Sequence, residues 1–236
     1  MSTYNTIKYL VLMDLTILKK TFIEKIINSC FFIIVELFIV NNIFVTLGMS
    51  QSFGAFQFAS MIVILPIFHV FAEVINLISD IENDRIINYR LLLPMKSFFV
   101  FLSKYIYFVI MYFSFSIVVF PLGKICCYNT LNTTSIHYGM LFSTFLFSSL
   151  FYLSLTFFLA SFIKNVSSLE TIWGRFIYPM WILGGFQFSW YILHKSMPLF
   201  AYVDLLNPMI YITEGSRNAI ITHNTTFINP YICFLV

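Results

Sequence analysis

The sequence predicts an all-α polytopic membrane protein. Hydrophobic residues make up 60% of its 236 residues, and the mean hydropathy is +0.89. A soluble domain of this length could not hide that much apolar surface. Several windows reach the roughly 20 apolar residues that a bilayer-spanning helix requires. Charged residues are only 10% of the chain, and they gather in short connections between those windows.

The elements follow in order. Within residues 1–25, Ile7, Leu10, Val11, Leu15, Leu18 and Phe22 recur at three- and four-residue steps, while Lys8, Asp14 and Lys19 fall on other faces. That pattern predicts an amphipathic helix lying in the membrane interface. Spans are predicted at 26–47, 55–79, 98–121, 138–162 and 172–191. The third closes on the stop Pro121-Leu122-Gly123. The fifth carries Trp173 and Tyr191 at its two ends, where interfacial aromatics belong. Residues 192–222 hold His194, Lys195, Pro198, Asp204, Pro208, Glu214 and Arg217, too broken a pattern for a span. Two short helices dipping into the outer leaflet, joined at Asn207-Pro208, are expected there. A sixth span begins at 229. At about 1.5 Å per residue, the last stretch falls far short of a core about 30 Å thick, so a C-terminally shortened form is expected.

Lys and Arg set the orientation. Lys8, Lys19, Lys20 and Lys25 precede the first span. Arg85, Arg90, Lys96 and Lys104 lie at the second-to-third connection, and Lys164 and Arg175 at the fourth-to-fifth. The other faces hold Lys124, Lys195 and Arg217. The N-terminus and the connection at 80–97 are therefore expected on the cytoplasmic side. That connection also holds three acids within five residues, Asp80, Glu82 and Asp84. The positive-inside rule concerns Lys and Arg and does not account for them.

Much chemistry is missing. No phosphate-binding GxxxxGK[ST], no HExxH and no GxSxG occurs. The histidines His69, His137, His194 and His223 are scattered. Cys30, Cys126, Cys127 and Cys233 fit neither a zinc site nor a disulfide framework. The net charge of +3 is dispersed, which excludes a nucleic-acid stripe. The glycosylation triplets at Asn132, Asn165 and Asn224 are read as chance, since Asn165 falls on the cytoplasmic side. Three polar residues within spans are candidates for a translocation path. Glu36 is near the middle of the first span, where a carboxyl is costly unless protonated, paired or wetted. His69 and Glu73 are four apart on the second span, share a face and can pair. The bland readings are a helix–helix hydrogen bond for Glu36 and a snorkelling side chain for Glu73. Thr144/Ser148 and Thr156/Ala160 are small pairs that would let helices approach closely.

Two motifs resemble a known family. Asn88-Tyr89-Arg90-Leu91-Leu92-Leu93-Pro94, followed ten residues later by Lys104, resembles the "YLLxLP…GK" pattern of ABC-2 type transporter permeases. The stretch 205–217, with Asn207, Pro208, Tyr211, Glu214, Gly215 and Arg217, resembles that family's "NPxxYxxEGxR" element. The preceding 179–190 stretch resembles the end of the fifth span. The chain departs from the pattern at Ile86-Ile87, where the family has Gly-Thr, and at Ser103, where it has Gly.

The resemblance implies a six-helix, type V exporter-like transmembrane domain with an N-terminal connecting helix, in the inner membrane of a bacterial cell. It implies a permease that forms the path as a dimer with a second copy of itself or a related permease. A separate ABC ATPase subunit would hold ATP and Mg, and this chain would bind no cofactor. The 80–97 loop would be the coupling element. There Asp80, Glu82, Asp84, Arg85 and Arg90 would offer ion pairs to the ATPase, and Tyr89, Leu91, Leu92 and Pro94 an apolar anchor. Two other readings stand beside it: a non-transporting scaffold or regulatory subunit, and a lipid-modifying membrane enzyme using His69 and Glu73.

Overall fold

Between Tyr4 and Phe44 the chain has no glycine, proline or capping signal, and nothing interrupts its helix. In the computed structural model, which describes residues 3–82, 86–128, 131, 133–163, 166–221 and 233, α1 (Thr3–Phe38) runs straight into a π-helical turn, Ile39–Phe44. The expected boundary at 25/26 is absent, so interfacial segment and first span are one helix. Its apolar length, Asn5–Phe44, is 40 residues. That is about 60 Å at 1.5 Å per residue, twice a hydrocarbon core.

The second span is α2 (Phe53–Ile64) and α3 (Pro66–Glu82), broken at Leu65. Pro66 lacks the N–H that would bond to the Ile62 carbonyl. Neighbours supply the missing donors: Ser116 Oγ donates to Ile62 O at 3.2 Å, and Tyr152 Oη to Val63 O at 2.7 Å. The kink is therefore satisfied by the third and fourth spans, as a helix break surrounded by apolar residues requires.

Pro121 does not end the third span. Helix α5 (Ser97–Cys126) passes through it and closes where Cys127 N donates to Gly123 O. Gly123 is a packing residue: a Cβ there would fall 2.0 Å from the Phe58 ring. Helix α6 (Tyr138–Phe162) has the predicted bounds. It buries Thr144, Ser148 and Thr156 against its neighbours, as the small-residue pairs anticipate.

The expected fifth span is not one helix. α7 (Val166–Ile172), a π-helical turn (Trp173–Ile177) and α8 (Tyr178–Leu183) are followed by a turn at Gly184-Gly185, where Gly185 has φ 76°. Glycine takes that conformation at no steric cost and halts the helix. Three short helices follow where two were expected: α9 (Trp190–Ser196), α10 (Pro198–Asp204) and α11 (Pro208–Ile220). Asn207 does mark the last junction, its side chain accepting from Met209 N at 3.1 Å.

The fold is thus all-α among the described residues, with four helices long and apolar enough to cross a membrane: Asn5–Phe44, Phe53–Ile81, Ser97–Cys126 and Tyr138–Phe162. α1 packs on α5, α5 on α6, α6 on α3, and α11 on both α2 and α6. Phe58, Met61, Ile62, Tyr112, Tyr152 and Leu153 lie at the centre of the core. The expected sixth span falls outside the described residues except Cys233.

Candidate functional site

Four buried charges, Asp14, Glu73, Arg90 and Lys104, collect at the Lys/Arg-rich end of the bundle. Leu10, Asp14 and Leu18 are four apart, so they share one stripe of α1, and all three are buried. The sequence reading had put Asp14 on another face. Its carboxylate meets α4 (Ile86–Leu91), the short helix inside the 80–97 connection. Arg90 donates to it twice, Nη1 to Oδ2 at 2.8 Å and Nη2 to Oδ1 at 2.7 Å. This is the bidentate fork in which guanidinium matches carboxylate best. Both side chains are about 5% exposed or less. The hydrogen bonds from Arg90 to Asp14 raise the guanidinium pKa further above its already high value. Lys104 of α5 completes the cluster, at 3.5 Å from Asp14 Oδ1 and 3.1 Å from Asp80 Oδ2.

Arg90 and Asp80 therefore do not point toward an aqueous partner, as the ion-pair reading of the loop had them. They tie α4 and α3 to α1 and α5. The opposite face of α4 is open: Tyr89 is 68% exposed and Leu92, just beyond the helix, 81%. Pro94 is exposed and Leu91 half-buried. Glu82 ends α3, and Asp84 and Arg85 lie outside the described residues. A short helix with an ion-locked inner face and an exposed, apolar outer face results.

The candidate path residues do not form one cluster. Glu73 does not pair with His69. It takes an ion pair with Lys25 of α1, and His69 Nε2 lies 3.2 Å from Ser29 Oγ, also on α1. Lys25 and Ser29 are four apart, as are His69 and Glu73, and the two antiparallel helices match them rung for rung. A partner one helix away competes better than a neighbour on the same face because α1 brings a cation. Glu36 is half-buried beside Ile33 and Leu37 and joins no ion pair among the described residues.

The motif at 207–217 builds a second buried site at the other end. Arg217 is fully buried, and its fork donates to the carbonyls of Phe188 (2.9 Å), Gly185 and Phe186. Its guanidinium also lies 3.7 Å from the centroid of the Phe56 ring. Glu214 Oε1 accepts from Arg217 Nη1 at 3.1 Å and from Trp190 N at 3.0 Å. Asn207 Nδ2 donates to Met180 O at 2.8 Å, and Tyr211 Oη to Leu205 O at 2.8 Å. Pro208 opens α11, and Gly215 faces Thr144 across the α6 contact. These residues hold the 184–190 turn onto α11 and are a structural clasp.

Sequence reasoning missed that Asp14 and Lys104 join Arg90 and Asp80 in one network, and that Lys25 pairs with Glu73. The spacing of Asp14 between Leu10 and Leu18 was the available signal. Nothing local signals Lys25–Glu73, because its partners are 48 residues apart. Among the described residues no group of His, Cys, Asp and Glu could hold a metal ion. No protein-family profile, curated protein or solved structure matches the chain.

Proposed function

We propose that this chain is the membrane-spanning permease of an ATP-binding cassette exporter, working as a dimer and driven by a separate ATPase subunit. The observation that supports it best is the two-faced α4. Arg90 anchors its inner side to Asp14 on α1, while Tyr89 and Leu92 present an apolar outer side to water. Exposed aromatic and aliphatic residues flanked by charge are what an interface anchor is made of. A partner pushing on that face would move α1, α3 and α5 together, because Asp14, Asp80 and Lys104 join them. The Lys/Arg count supports a cytoplasmic location for this face, where an ATPase would be.

In this reading the stretch 166–183 with the turn and clasp beyond it forms the fifth membrane segment and re-entrant region. Glu36, His69 and Glu73 are the polar residues nearest a path. The test is co-purification of the tagged chain from its native membranes, followed by identification of a P-loop ATPase in the complex. Tyr89→Ala/Leu92→Ala and Glu82→Lys/Asp84→Lys/Arg85→Glu should each lower ATPase recovery. Recovery of no such ATPase, or equal recovery with both variants, would refute the assignment.

A further inference from the structure

A cavity of about 410 Å³ opens between α1, α3, α4 and α5 at the Lys/Arg-rich end. Its size falls in the range of small-molecule sites. The lining has two chemistries. Lys25, Arg90 and Lys104 bring cations to it, and Asp14, Glu73 and Asp80 bring an equal number of carboxylates. Behind these the wall is apolar, with Leu18, Leu77 and Phe108 buried. At the lip on α1, Met13 and Ile17 are 45% and 57% exposed, so the cavity leads outward onto an apolar helix surface. Farther along the same face, beyond the exposed Lys20 and Glu24, Ile27 and Phe31 are exposed again.

We propose that this cavity holds one phospholipid with a phosphoethanolamine head, its phosphate on Lys25 and Lys104 and its ammonium on Glu73 and Asp80. A polar end that meets both charges, joined to an apolar lip, calls for an amphiphile with a zwitterionic head. Basic pockets between transmembrane helices select anionic lipids; here each cation already has an acid beside it. A purely anionic head would bring its charge against Glu73 and Asp80, and a purely cationic one against Lys25 and Lys104. Charge balance therefore selects a head that carries both signs. The choice between ethanolamine and choline follows from hydrogen bonding. Carboxylates accept N–H donors, which only the primary ammonium has. A quaternary ammonium is held by an aromatic cage, and this lining offers only the neighbouring rings of Tyr107 and Phe108 among the described residues, Tyr107 already 5.8 Å from the Lys104 ammonium. Thr21 and Asn76 line the same wall and add uncharged hydrogen-bonding groups. The cavity is built by this chain's own helices, whether or not an ATPase docks beneath it.

The test uses the full chain, purified in mild detergent and examined by native mass spectrometry. One retained phosphatidylethanolamine per chain is expected. After delipidation, add-back of phosphatidylethanolamine should be at least tenfold tighter than that of phosphatidylglycerol or phosphatidylcholine. Lys25→Gln/Glu73→Gln removes both charges and leaves two side chains that still hydrogen-bond each other, and it should abolish the preference. Ile17→Ser, on the exposed lip, leaves the core intact and should weaken retention severalfold through the acyl chain alone. Equal binding of the three lipids, or retention unchanged in both variants, would overturn the assignment. Soluble O-phosphoethanolamine should not compete at concentrations equal to the lipid. Competition at parity would overturn the lipid source and leave the free head as the ligand.

Discussion

Asp14→Asn is the most informative single change. It leaves the size of the side chain unaltered and removes the charge that Arg90 grips with two hydrogen bonds. Breaking a buried ion pair from one side costs about 3–5 kcal/mol, because the other charge remains buried without compensation. Lys104 keeps Asp80 at 3.1 Å, so the loss falls on Arg90 and the lower figure applies. A loss of about 3 kcal/mol corresponds to a fall in Tm of roughly 6–12 °C for a chain of this size. Thermal unfolding in detergent, followed by tryptophan fluorescence, measures it. Removing both partners, as in Asp14→Leu/Arg90→Met, should restore most of the stability, since paired apolar replacements of buried ion pairs are often neutral. A Tm of Asp14→Asn within about 2 °C of the parent would mean that the pair is solvated and worth no more than a surface salt bridge. The inner anchoring of α4 would then fail as an explanation. The same variants separate docking from transmission. Tyr89 and Leu92 are untouched, so the proposed ATPase should still co-purify with Asp14→Leu/Arg90→Met, while any stimulation passed through α4 should be lost.

Other outcomes follow from particular contacts. Tyr152→Phe leaves the Val63 carbonyl at the kink without its 2.7 Å donor and should cost about 0.6–1.7 kcal/mol, from the average to the maximum measured for interhelical hydrogen bonds in membranes, read as a Tm shift. Gly185→Ala forces a side chain into φ 76°, with its Cβ 3.0 Å from Thr213 Oγ1. It should destabilise by about 1–2 kcal/mol from the left-handed backbone alone, seen as faster proteolysis of the 184–190 turn. Burial raises the Asp204 carboxyl to about 6, above an unfolded value of about 3.9. Its contribution to stability is therefore full below about pH 4 and fades as pH rises through 6. The parent should lose Tm relative to Asp204→Asn between pH 4 and pH 7, and parallel profiles would refute the shift.

What the sequence made legible was what depends on composition and local period. Hydropathy located four of the spans, and the fourth matched at both ends because His137 and Ile163 leave the helix on either side of a run with no proline and a single glycine, Gly139, in its first turn. Local signals misled where tertiary contacts outweighed them. Pro121 reads as a stop, yet flanking turns carry the helix past it. Pro66 reads as an ordinary span residue, yet it breaks the helix, because Ser116 and Tyr152 stand ready to satisfy the exposed carbonyls. The motif at 207–217 was legible as a unit, and Glu214 and Arg217 do pair at 3.1 Å. Their shared target, the carbonyls of the Gly185 turn, could not be read, since it depends on a fold-back of about thirty residues. The charged loop was legible as a cluster but not as a division of labour. A side chain's face on α4 depends on where α1 lies, and α1 is set by packing on α5.

That division changes how the loop would work if an ATPase does dock on it. A loop whose charges all faced the partner could be pulled without moving the spans, because nothing would hold it to them. Here the charges are split. Arg90 is spent on α1, and Asp80 on α5 through Lys104. Displacement of α4 must either break a bidentate buried pair or carry α1 with it, and the second costs less. α3 leads from Asp80 directly to the kink at Leu65, where three helices meet through hydroxyl-to-carbonyl bonds rather than through a continuous backbone ladder. Such a joint can bend by exchanging partners among Ser116, Tyr152 and the carbonyls of Ile62 and Val63. Motion imposed at the charged end would therefore be taken up at Leu65–Pro66. A cysteine crosslink between α2 and α6 above the kink should leave α4 anchored and ATPase recovery intact while stopping transport, and a crosslinked chain that still transports would show that the kink is rigid.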